Sequence, residues 1–214
     1  SMRKIGLLVP KTNLTVEYEL QYLYATKFFD LNDFVCYVSK LDYKTNYKDN
    51  KEQYLKDLAD DSIKKIKDLK YLGVEYISYF CTSSALFNEE KVISINPATS
   101  LVEEAKYKNI NSCLLITPYN DTIGNKVRDE LTKNNIFVSK TINLDLLNTM
   151  DYFEFGTKKM TKFIESNYLP EYGDIIISCT NLPTLKTIEL LEKKLKINII
   201  SSNSSLFNKI KREN

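Results

Sequence analysis

The sequence predicts an α/β fold made of two pseudo-symmetric halves, each a mainly parallel sheet flanked by helices, with an active site in the cleft between them. Short β-rich runs alternate with longer segments of helical period, which marks successive βα units. The opening "LLVPKTNLTVEYEL" is echoed from Leu114 onward by "LLITPYNDTIGNKV". Each copy is an apolar strand, a proline, a polar cluster containing Asn, then a helix. A second echo links "EYISYFCTSSALF" (Glu75–Phe87) to "DIIISCTNLPTL" (Asp174–Leu185), both ending an apolar run on Cys-Thr. Self-similarity of this order reports a duplicated unit.

Taken along the chain, Lys4–Val9 is the first expected strand and Leu14–Lys27 the first helix. Phe34–Leu41 is β-rich, and the polar run "DYKTNYKDN" (Asp42–Asn50) reads as a connection. In the long helix Lys51–Leu72, the residues Leu55, Leu58, Ile63, Ile66 and Leu69 recur at helical spacing, with charges on the other face. Val74–Phe80 closes the first half as a strand. The second half is expected to run helix Ala98–Lys108, strand Ser112–Thr117, helix Asp121–Asn134 and strand Ile136–Ile142. Helix Thr157–Asn167, strand Asp174–Ser178, helix Pro183–Leu195, strand Ile197–Ser201 and helix Ser204–Arg212 complete it. Residues 1–97 and 98–202 are thus the two halves, and 203–214 is expected to return to the first. Charged runs such as "EKKLK" read as solvated helix faces.

With 214 residues, 43% of them hydrophobic, the chain can bury a substantial core. Thirty basic residues offset 28 acidic ones, leaving a formal charge of +2 with no basic stripe, so nothing in the charge favours a nucleic acid or a membrane surface as partner. No apolar run approaches the roughly 20 residues of a membrane span, and no signal pattern opens the chain. A cytoplasmic location is the expectation, and Ser1 before Met2 reads as a cloning remnant. Cys36, Cys81, Cys113 and Cys179 stand far apart without a CxxC pair, so a structural metal is not expected. The absence of histidine removes Ser-His-Asp and Cys-His chemistry. Any proton transfer near neutrality falls to Cys, Asp, Glu, Lys or Tyr.

Cys36 in "FVCYV" and Cys113 in "SCLLI" read as small core residues. Cys81 and Cys179 differ because each ends a strand just ahead of an expected helix N-terminus. Unpaired backbone N–H groups and the helix dipole at such a joint would lower a thiol pKa from about 8.5 into the range of roughly 3.5–7.5. The same groups, with the hydroxyls of Thr82, Ser83 and Thr180, would suit a carboxylate. Facing thiols could exchange a proton on opposite faces of one carbon, or one thiolate could add to an electron-poor double bond while the other handles the proton. Thr82, Ser83, Thr180 and Asn13 serve equally well as helix caps, and Tyr119 attracts notice only through its position.

At "LVPKTN", "CTS", "TPYN", "SCTNL" and "ISSN" the chain resembles the aspartate/glutamate racemase superfamily, in the branch holding maleate cis-trans isomerase and arylmalonate decarboxylase. The likeness runs from Gly6 to about Phe207. It implies a cofactor-independent site, small carboxylate substrates and at least a dimer. By motif, the resemblance makes Cys81 the nucleophile and Cys179 its proton-transferring partner. It gives Thr82, Ser83 and Tyr119 a substrate carboxylate, Asn13 a polar substrate contact, and Asn148 of "LLNTMDYFEFG" the role of a later asparagine. Retention of both cysteines favours an isomerase or racemase over the decarboxylase. Two features depart from the branch: the segment "SALFNEEKV" after "CTS" shortens one wall, and Lys11 replaces a small polar residue. The expectation is a maleate-type isomerase, with a two-base amino-acid racemase, a non-catalytic carboxylate binder and a thiol redox sensor as the rivals.

Overall fold

A computed structural model describes residues 2–80 and 97–214. Its contacts divide into two compact units, 1–97 with 209–214, and 98–208. In the first, β1 (Arg3–Pro10), α1 (Thr15–Ala25), β2 (Phe34–Leu41), α2 (Lys51–Tyr71) and β3 (Tyr76–Tyr79) follow one another. The second is built from α3 (Pro97–Tyr107), β4 (Ser112–Thr117), α4 (Asp121–Lys133), β5 (Phe137–Asn143), α5 (Thr149–Lys158), α6 (Met160–Asn167), β6 (Asp174–Ile177), α7 (Leu185–Leu195) and β7 (Ile199–Ser201). The last helix, α8 (Ser202–Glu213), supplies residues to both units.

Every strand pairing is parallel, in the order β2-β1-β3 in one sheet and β5-β4-β6-β7 in the other. In each sheet the first strand is central, the second lies on one side of it and the third on the other. This shared winding is the structural counterpart of the sequence repeat. It also creates a switch point in each sheet, between β1 and β3 and between β4 and β6, where loops leaving the strand ends diverge and ligands bind in open α/β sheets.

Strands covered on both faces need continuous apolar runs, which the sequence provides. Leu7, Leu8 and Val9 of β1, Cys113–Ile116 of β4 and Ile175–Ile177 of β6 are fully buried. Cys113 is a core residue as expected, whereas Cys36 is only half-buried and accepts a 3.7 Å hydrogen bond from the Tyr24 hydroxyl. On α2 the buried positions are Leu58, Ser62, Ile66 and Leu69. Ile63 is 61% exposed, so the stripe read from the sequence is one residue off there. Ser62 can take the core position because its hydroxyl donates to the Ala59 carbonyl at 2.7 Å, satisfying itself within the helix. Among the described residues no helix is long and apolar enough to cross a membrane.

The largest difference lies at 149–167, where the sequence suggests one helix over Thr157–Asn167 and the structure has two, α5 and α6. No helix is expected over 149–156. In fact Asn148 caps α5, accepting from the Asp151 N–H at 3.0 Å. Gly156 lies inside the helix because the backbone of Pro183 crosses there: a methyl group at this position would sit 2.7 Å from the Pro183 nitrogen and closer still to its carbonyl oxygen. On an exposed helix Gly→Ala stabilises by about 1 kcal/mol. Gly156→Ala is expected to do the opposite, destabilising by about 1–3 kcal/mol through overpacking, as read by urea unfolding; a stabilised variant would show that α5 does not press on Pro183.

Candidate functional site

In the second unit the β4–β6 switch point is formed by Thr117-Pro118-Tyr119 on one side and Ser178-Cys179-Thr180 on the other. The first segment is fastened by the end of β5. The N–H groups of Leu144, Asp145 and Leu146 donate to the carbonyls of Thr117, Tyr119 and Pro118 at 2.8, 3.0 and 2.9 Å. Thr117 Oγ1 donates to Asn143 Oδ1 at 2.6 Å and accepts from the Tyr119 N–H at 3.3 Å. Asn143 reaches that place because α4 carries Gly124 beneath it, where a methyl would lie 2.8 Å from Asn143 Nδ2 and nearer its carbonyl. The direction of Tyr119 is therefore set by backbone bonds on both of its flanks.

Cys179 has a backbone φ of +143°, in a region that L residues rarely adopt. Its N–H donates to Ser202 Oγ at 3.0 Å, and Asn203 Nδ2 donates to the Thr180 carbonyl at 2.8 Å. Strain of about 1–3 kcal/mol held in place by surrounding bonds is a pattern that concentrates at functional sites. The thiol is buried, 6% exposed. Its Sγ accepts from the Asn181 N–H at 3.3 Å and from the Tyr119 hydroxyl. Burial raises the thiol pKa above the ordinary value, and the bonds from Asn181 and Tyr119 only partly oppose it.

Two expectations about this joint are thereby corrected. The thiol is pushed up, not down, because desolvation of a thiolate outweighs two hydrogen bonds. The reason is visible in the chain path, for α7 does not begin until Leu185, and the turn Thr180–Thr184 separates its N-terminus from the sulfur. The helix start that reaches Cys179 is that of α8, through Ser202. Its "SSNSS" run is buried and internally bonded: Thr184 Oγ1 donates to Ser201 Oγ at 2.7 Å, and Ser205 Oγ to the Ser201 carbonyl at 2.7 Å.

Cys81, Thr82 and Ser83 lie outside the described residues. Asn13 is buried, and its Oδ1 accepts from the N–H groups of Thr15 and Val16, both at 2.9 Å. It thus caps α1, as Asn120 caps α4 by accepting from the Ile123 N–H at 3.0 Å. Asn148 is exposed and caps α5. Lys11 directs its ammonium to Asp42 Oδ1 at 2.7 Å and the Tyr43 carbonyl at 2.8 Å. Tyr119, Cys179 and Thr180 are the expected residues that the second unit gathers together. To these it adds Tyr152 of α5, whose ring meets that of Tyr119 edge-to-face with centroids 6.4 Å apart. Burial, then Cys179 and Asp145, push its hydroxyl pKa up to about 12. The one sequence signal for Tyr152 was its place a helical turn before Gly156, legible only once α5 is recognised as a helix. Among the described residues, no group of three or more Cys, Asp or Glu side chains could hold a metal ion.

No family model matches the chain. A maleate isomerase of Geobacillus stearothermophilus is 19% identical over 229 residues, spanning 97% of this chain and 90% of that relative. The chain is a distant relative of the maleate isomerase and arylmalonate decarboxylase branch of the aspartate/glutamate racemase superfamily. Solved structures of the branch share its fold. A maleate cis-trans isomerase of Nocardia farcinica, a cysteine-to-serine mutant with a covalently bound succinylcysteine intermediate, superposes with a TM-score of 0.76 at 19% identity, covering 96% of this chain and 89% of that one. Arylmalonate decarboxylase does so with a TM-score of 0.71 at 17% identity, covering 98% and 91%.

A buried, protonated thiol has a measurable signature. Alkylation of Cys179 by iodoacetamide, followed by peptide mass spectrometry, should accelerate only above about pH 8.5, where an ordinary thiol ionises. Tyr119→Phe removes a bond that favours the thiolate and should move the rise to still higher pH. Rapid alkylation at pH 7 in the unmodified protein would contradict this geometry.

Proposed function

We propose that the protein is a cofactor-independent isomerase of a small carboxylate, most like maleate cis-trans isomerase, in which Cys81 is the nucleophile and Cys179 the proton carrier. The observation that supports this most strongly is the state of Cys179. A thiol kept protonated by burial is a poor nucleophile at neutral pH but a ready proton source. It stands at the switch point on a strained backbone, hydrogen-bonded by Tyr119 and Asn181. The covalent succinylcysteine in the Nocardia relative is an adduct of the kind such chemistry would form.

The steps balance without a cofactor. The Cys81 thiolate forms a C–S bond to one alkene carbon of a cis-enedioate, and the π electrons pass to the other carbon and its carboxylate. The Cys179 thiol delivers its proton to that carbon, leaving a saturated adduct whose central bond can rotate. After rotation the Cys179 thiolate takes a proton back, the double bond re-forms as trans, and the Cys81 sulfur leaves with its electron pair. Each sulfur ends in the protonation state in which it began. The Tyr119 hydroxyl, by turning its one proton from the sulfur to the substrate, would stabilise the charge that grows on the carboxylate.

Incubation with maleate, and separately with single enantiomers of aspartate and glutamate, followed by proton NMR, tests the reading. Fumarate should appear from maleate. Cys179→Ser and Cys81→Ser should each lower turnover by about 10²–10⁴-fold, the usual scale for loss of a proton-transfer group. Because burial raises the Cys179 pKa, the donor remains protonated through neutrality. Activity should therefore fall as pH rises above the ordinary thiol value of about 8.5, and the acid limb should follow ionisation of Cys81. Full activity in Cys179→Ser would overturn the proposal.

A further inference from the structure

We propose that the Tyr152 hydroxyl is a substrate-binding donor beside Cys179, contacting a carboxylate of the small acid on which that cysteine acts. The inference deepens the isomerase reading and rests on it. Tyr152 lies one helical turn before Gly156, on the same face of α5. Gly156 is where α5 meets the Pro183 backbone, in the turn that follows Cys179. The close approach that needs a glycine therefore brings Tyr152 toward the thiol. Its ring stands edge-to-face on that of Tyr119, whose own hydroxyl donates to Cys179. Both tyrosines pack against the cluster that contains Cys179 and Leu182.

The hydroxyl itself is uncommitted. Tyr152 is half-buried, and its hydroxyl has no hydrogen-bond partner among the described residues. A half-buried phenol with no such partner beside a reactive group is free to turn its proton to a ligand. Its proton is held throughout the neutral range, since burial, Cys179 and Asp145 all disfavour the phenolate. Among the described residues, Asn181 and Tyr119 act on Cys179, and Cys179 and Asp145 act on Tyr152, with no lysine or arginine in either set. An anion at this wall would be met by neutral donors, of which Tyr152 is the one not already bonded to the sulfur.

The test compares Tyr152→Phe, which keeps the ring and removes only the oxygen, with the unmodified protein. Five quantities are read: KM and kcat for maleate, the maleate concentration that half-protects Cys179 from iodoacetamide, the ligand-free alkylation rate, and Tm. The expected result is KM and half-protection raised about 10-fold or more, as for a lost hydrogen bond to a charged group, with ligand-free alkylation and Tm unchanged. Turnover and protection equal to the unmodified protein would overturn the role of Tyr152 while leaving the isomerase reading intact. A shift in Tm or ligand-free alkylation without a change in half-protection would also overturn it, by making the hydroxyl structural. Neither turnover of nor protection by maleate, fumarate or aspartate in the unmodified protein would overturn both. Tyr152→Ala, which removes the edge that braces Tyr119, should in addition slow alkylation by loosening the Tyr119 bond to sulfur.

Discussion

The backbone of Cys179, held at a positive φ, is the constraint on which the second unit is organised. An L residue leaves that conformation unless its neighbours oppose the escape, and here they do so from two helices. α8 grips the turn through Ser202 on the Cys179 N–H and Asn203 on the Thr180 carbonyl. α5 presses on it further along, with Gly156 against Pro183. The buried Ser201–Ser205 network has its meaning in this frame: polar side chains that would be costly in a core are satisfied by one another, and together they fix the start of the helix that holds the strained residue. The opposite wall is fixed independently, by the β5 end clamping Thr117–Tyr119.

The chemical character of the site follows from what the chain lacks as much as from what it carries. Without histidine, the groups available for proton transfer at neutrality are thiols, phenols, carboxylates and amines. Around Cys179 the structure selects thiol and phenol. Both are driven toward their protonated forms by burial, so thiol and phenol are themselves uncharged, with Asp145 the charged group that acts on Tyr152. Hydrogen bonds in such low-dielectric surroundings act more strongly than in water, which suits the proposed role of steadying charge on a carboxylate. Two lysines at the corresponding strand ends of the first unit have partners of their own. Lys11 pairs with Asp42, and Lys40 bonds the Asn13 carbonyl at 2.6 Å and Glu17 at 3.1 Å.

Much of this could be read from the sequence because the relevant signals are local. Apolar runs such as "IGLLV" and "CLLIT" can only be strands covered on both faces, and the Pro-x-x-Asn and Pro-x-Asn pieces after β1 and β4 place a cap at a fixed distance from a strand end. The repeat then gave the winding, and the winding placed Cys179 at a switch point. What stayed hidden depends on distant partners. The place of Gly156 inside a helix could not be read, because Pro183, 27 positions later, is what requires it. Ile63 looked buried because spacing alone cannot tell that Ser62 satisfies its own hydroxyl. The thiol was expected to be acidic because sequence proximity to a helix was taken for contact with its N-terminus, whereas five turn residues intervene and a different helix arrives. Tyr152 escaped notice for the same reason as α5.

Division of labour between two sulfurs is the central claim, and trapping the reaction midway tests it most directly. Cys179→Ser, incubated with maleate and then measured by intact-protein and peptide mass spectrometry, removes the proton carrier while leaving the nucleophile. The account predicts a protein heavier by one maleate, with the added group on the peptide containing Cys81. An unmodified Cys179→Ser protein that still converts maleate, or an adduct formed on Cys36 or Cys113 instead, would contradict it.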